Sequence, residues 1–114
     1  MQEDLEKYRN DFAIIRETAA QVIKDFNVVG FEITFSGNEL AAYEELKNQI
    51  EPVLRVLFNK NSAQFQNLLY RIDLEEIFFK EALSNFDQLD FFSTLSERIL
   101  QREFQKVLTR RFYS

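Results

Sequence analysis

The side chains able to do chemistry in this chain are carboxylates, amines, guanidinium groups and hydroxyls, because it contains neither histidine nor cysteine. That inventory excludes histidine-based triads, zinc sites built on histidine or thiolate, Glu-x-x-His di-iron bundles and cysteine nucleophiles. No disulfide framework is available, so packing must supply the stability. Glycine-rich phosphate loops, nucleophile elbows, metalloprotease helices and calcium loops are also missing from the sequence.

Carboxylates occur side by side at Glu44-Glu45 and Glu75-Glu76, with Asp73 close to the second pair. Acidic clusters can bind a divalent cation or serve as acid and base. Adjacent residues on a helix do not converge on one point, so such a site requires contributions from separate helices. Solvated faces and helix N-termini account for each pair more simply.

Residues 97–114 hold five basic and two acidic side chains, and Arg98, Arg102, Lys106 and Arg110 follow an i, i+4 series joined by Arg111. The series predicts a cationic stripe on one helix face, suited to an acidic protein surface or phosphates. Helix-dipole stabilisation and a local Glu103–Lys106 pair explain the same residues without a partner. The net charge of −5 argues against general nucleic-acid affinity.

Thirteen phenylalanines stand against one methionine and no tryptophan. An aromatic core is the simplest use for them. The Phe78-Phe79 doublet projects two rings about 100° apart on a helix, which requires burial on two sides. A partner chain is one way to provide the second side, and Phe91 and Phe92 invite the same reading.

The elements that would position these residues are mainly helical, since two glycines and one proline leave little turn punctuation. Leu5, Tyr8, Phe12, Ile15, Ala19, Val22 and Phe26 predict a first amphipathic helix of about 22 residues. Val29, Phe31, Ile33 and Phe35 then alternate with Gly30, Glu32 and Thr34, predicting one short strand at about residues 28–35. Ser36 and Glu39 form a capping box for a second helix. Its inward series is Leu40, Tyr43, Leu46, Ile50, Val53, Leu54 and Leu57, with a kink expected near Asn48 to Glu51 because of Pro52. Phe65, Leu68, Leu69 and Ile72 mark a short third helix, Tyr70 to Asp73 a corner, and Ile77 through Phe86 a fourth helical segment whose start Asp73 and Glu76 would cap. The last helix, from about Leu89 to Phe112, turns Phe92, Leu95, Ile99, Val107 and Leu108 inward, with Phe104 close by.

The expected architecture is therefore mainly α: about five helices around a phenylalanine-rich core, forming one domain over residues 1–114, with the strand between the first two helices. A lone strand has unpaired edges. The expectation is that it pairs with a copy of itself in a homodimer; receiving an extended segment of another protein, or running as a connector bonded to water and side chains, are the alternatives. These features together suggest a non-catalytic interaction or assembly module needing no cofactor. A ligand-binding protein or carboxylate enzyme with a pocket between helices is the alternative. The acidic start lacks the character of a secretory signal, and no apolar run approaches the roughly 20 residues of a membrane span, so a cytoplasmic address without membrane insertion is expected.

Overall fold

The computed structural model describes residues 11–74, 80 and 91–113. Within these residues the chain forms α1 (Phe12–Val28), a 3₁₀ turn (Glu39–Ala41), α2 (Ala42–Lys60), α3 (Ser62–Ile72) and α4 (Phe91–Tyr113). No strand occurs among the described residues. Leu5, Tyr8, Glu75, Glu76, Phe78, Phe79 and most of the expected fourth segment lie outside them.

Helix α1 starts later than its apolar spacing suggests, because Asp11 is extended and its carboxylate accepts from the Ala13 and Ile14 amides. That is an N-cap, which satisfies donors that have no partner inside the helix. The buried face is Ile14, Thr18, Ala19, Val22, Asp25 and Phe26, so two polar residues sit where a purely apolar stripe was expected. Phe12 lies on the exposed side.

The end of α1 corrects the beginning of the expected strand. Gly30 has φ +89° and donates to Asn27, while Phe31 donates to Phe26, which is the hydrogen-bond pattern of a Schellman cap. Val29 and Gly30 thus terminate a helix. Residues 31–36 are extended but join no ladder. Their side chains do alternate: Ile33 is buried and Phe31 and Phe35 pack half-buried on the core, whereas Glu32 and Thr34 face outward.

Backbone groups left without a neighbouring strand are met by α2. Gln49 accepts from the Thr34 N–H at 2.9 Å and donates to the Thr34 carbonyl at 2.8 Å. Glu45 accepts from the Ser36 amide at 2.6 Å. The segment is a connector held by helix side chains, with Ile33 buried in the core.

The cap of the next element is Asn38 rather than the Ser36–Glu39 box. Its side chain accepts from Leu40, Ser36 accepts from Asn38, and Glu39 pairs with Arg16 at 2.7 Å. Because Leu40 belongs to the 3₁₀ turn, it is out of phase with α2 and points to solvent, as does much of Tyr43. Helix α2 passes through Pro52, which lies with Asn48 on its exposed side, where water can satisfy the Asn48 carbonyl that proline cannot serve. Leu46, Ile50, Leu54 and Leu57 face the core as their spacing requires.

The corner expected over Tyr70 to Asp73 is corrected: Tyr70, Arg71 and Ile72 are the last turn of α3, and the helix ends only at Asp73. Asp73 takes the left-handed conformation and closes the helix as its C-cap, with Asp73 donating to Tyr70 and Leu74 to Leu69. The main core joins α1, the connector, α2, α3 and the first half of α4. Phe58 links its aromatic part, with ring centroids 5.4 Å from Phe65 and 5.6 Å from both Phe91 and Phe92, and Arg55 stacks over Phe92. Phe91 and Phe92 are therefore buried within the chain. A smaller cluster, Ile14, Val107 and Leu108 with Phe104 beside it, joins the second half of α4 to the start of α1.

Candidate functional site

Four ionisable residues from three helices meet between these two apolar clusters. Asp25 follows Val22 by three positions and precedes Phe26, and Glu103 lies four positions from both Ile99 and Val107, so helical periodicity turns both carboxyls inward. Asp25 is 1% exposed and Glu103 0%. Arg71 reaches in from the last turn of α3 and Lys106 from the next turn of α4.

The donors are distributed without duplication. Asp25 Oδ1 accepts from Gln21 Nε2 and Arg71 Nε, each at 3.0 Å, and its Oδ2 accepts from Lys106 Nζ at 3.3 Å. Lys106 also donates to Glu103 Oε1 at 3.2 Å and to the Arg71 carbonyl at 3.3 Å. An ammonium has three N–H donors. All three have acceptors here, and Lys106 occupies the place where a cation would be needed.

The two carboxyls are shifted in opposite directions. Burial, then the hydrogen bond and negative charge of Asp25, push Glu103 up to about 8 against the pull of Lys106. Burial also acts to raise Asp25, but hydrogen bonds with Glu103 and Gln21 and the charge of Lys106 outweigh it and hold the group below its usual value. At neutral pH the cluster thus contains a protonated Glu103 beside an ionised Asp25.

Further polar contacts extend this cluster from α4 to α1 and to the end of α3. Arg110 donates to Gln21 at 2.9 Å and Arg111 to Glu17 at 3.2 Å, while Arg102 donates to the carbonyl and carboxylate of Asp73, both at 2.9 Å. Of the residues read as a cationic stripe, Arg102, Lys106 and Arg110 therefore bind within the chain, and Arg98 is an exposed residue of the same helix. The predicted Glu103–Lys106 pair is one edge of the cluster. Val29, Phe31, Ile33 and Phe35 form the end of α1 and the core-facing side of the connector.

The carboxylates singled out by adjacency do not come together among the described residues. Glu45 holds the connector, Glu44 is exposed, and Asp73 pairs with Arg102. No metal-binding group of three or more acidic residues occurs among the described residues. Asp25 was missed because polar residues were not counted on the buried stripe, although its place in the Val22–Phe26 register marks it. A second surface group links α2 and α4, where Lys47 bonds Glu97 at 3.1 Å and Tyr43 is raised by burial and then by the charge of Glu97. No described helix is long and apolar enough to cross a membrane.

No family model, no curated protein and no solved structure matches this chain. Its functional reading rests on its own residues.

Proposed function

We propose that the chain is a non-catalytic interaction module that assembles with a copy of itself and presents helical faces to a protein partner in the cytoplasm. The observation that carries the non-catalytic part is the closure of the ionisable cluster. Asp25 and Glu103 are buried to 1% and 0% exposure and are engaged by Gln21, Arg71 and Lys106, so these carboxyls serve helix packing instead of meeting a substrate.

Self-association draws support from the entry to α2, where Leu40 is 82% exposed and Tyr43, three residues on, is 50% exposed. Apolar side chains so placed gain from being covered by a second surface. The connector edge is not part of this proposal, since the Thr34 main chain already bonds to Gln49 and the Ser36 amide to Glu45. Light scattering over a wide concentration range should give a dimer, and Leu40→Ser with Tyr43→Ser should shift it toward monomer. A monomer at every concentration overturns the assembly reading.

A carboxylate-dependent enzyme or small-ligand protein is the second reading, favoured by one observation. A protonated Glu103 beside an ionised Asp25 is the pairing that acid–base chemistry uses. A small molecule retained in native mass spectrometry and lost in Glu103→Gln would favour it over the first.

A further inference from the structure

Glu103 marks the place where α4 leaves the main core. Before it, Phe91, Phe92, Leu95, Ile99 and Leu100 belong to the large apolar cluster; after it, the helix is held by the smaller one containing Ile14, Val107 and Leu108. The second half of α4 thus depends more heavily on its polar contacts. Those contacts centre on a carboxyl with an unusual defect: Glu103 Oε1 accepts from Lys106, but Oε2 is fully enclosed and receives no donor.

An enclosed carboxylate oxygen without a donor is costly to keep charged. A proton on Oε2 removes that cost, and the carboxylate beside it is Asp25, whose Oδ2 shares the Lys106 ammonium with Glu103 Oε1 at 3.3 and 3.2 Å. From α1 the group facing Glu103 is Asp25; from α4 itself it is Lys106; from α3, Arg71 acts through its bond to Asp25. With Glu103 neutral, Asp25 is the lone negative charge between Arg71 and Lys106. With Glu103 ionised, two enclosed carboxylates repel each other across the α1–α4 joint and compete for Lys106.

We propose that the Asp25–Glu103 pair holds a single proton that latches the second half of α4 against α1 and the end of α3, and that removal of this proton releases that half. The device is reversible and needs no ligand. It makes the Val107–Leu108 end of α4 sensitive to mild alkalinity while the end containing Leu95 and Ile99 stays packed.

The test is nuclear magnetic resonance on the full chain, following the Glu103 side-chain carboxyl carbon and the methyl groups of Val107, Leu108, Leu95 and Ile99 as pH is raised. The Glu103 signal should titrate with a midpoint near 8, and the Val107 and Leu108 methyls should move with the same midpoint while Leu95 and Ile99 do not. In Glu103→Gln the methyl transition should vanish. Titration of Glu103 in the ordinary glutamate range, about 4.3, overturns the proposal, as does a high midpoint with unmoved Val107 and Leu108, or a transition that persists in Glu103→Gln. Should that variant not fold, the wild-type carboxyl and methyl titrations decide the matter.

Discussion

The carboxamide of Gln49 meets the main chain of Thr34 at both polar atoms, accepting from its N–H at 2.9 Å and donating to its carbonyl at 2.8 Å. One side-chain amide on α2 thereby does for an extended segment what a neighbouring strand does in a sheet. Gln49→Leu should cost about 1 kcal/mol, because the freed groups are exposed and water replaces most of what is lost. Urea unfolding measures the loss, and amide exchange should show reduced protection at Thr34. Unchanged protection would mean that the contact adds little.

Lys106 distributes its three donors over Asp25, Glu103 and the Arg71 carbonyl. Lys106→Met keeps most of the apolar stem but strips two enclosed carboxyls of their ammonium. The expected cost is about 2–4 kcal/mol, toward the lower part of the range for broken buried pairs because the lysine is partly exposed. The variant's stability should also fall less steeply toward acid pH, since Asp25 loses a group that holds its folded pKa below the unfolded value. Urea midpoints at neutral and mildly acidic pH check both effects.

Gly30 closes α1 at φ +89°, and an added Cβ would meet nothing within 4 Å. Gly30→Ala should therefore destabilise by backbone strain alone, about 1 kcal/mol. A thermal or urea unfolding comparison tests this, and a neutral result would mean that the cap relaxes freely.

Much of the helical frame was legible in the apolar spacing: Leu46, Ile50, Leu54 and Leu57 on α2, Phe65, Leu68, Leu69 and Ile72 on α3, and Leu95, Ile99, Val107 and Leu108 on α4 all face inward. The connector misled because Val29 to Phe35 has the period of a strand, while the deciding facts are local at one end and distant at the other. Gly30 reads equally well as a strand interruption or a helix cap until the carbonyls of Phe26 and Asn27 are placed. Gln49 gives no sign in the sequence that it serves Thr34. The polar cluster was hidden differently. Asp25 and Glu103 sit in core register, and a charge in core register is itself a signal, but its partners Arg71 and Lys106 are identified only once the helices pack. Leu40 was read as inward because the 3₁₀ turn before α2 shifts its phase.

Stability against pH follows from the two carboxyls with opposite signs. Asp25, held below its ordinary 3.8, contributes stability above that value and loses it as pH falls through its lower folded value. Glu103, raised from 4.5 to about 8, contributes stability that is complete below about 4.5 and is lost as pH rises to about 8. At about 1.4 kcal/mol per unit, the second effect amounts to about 3–5 kcal/mol.

Equilibrium urea unfolding of the wild type and Glu103→Gln across this range tests most directly whether a shared proton holds the buried cluster together. The wild type should lose stability from mildly acidic pH to pH 8 while Glu103→Gln changes much less, leaving the variant relatively more stable at the alkaline end. Parallel profiles for the two proteins would contradict the account.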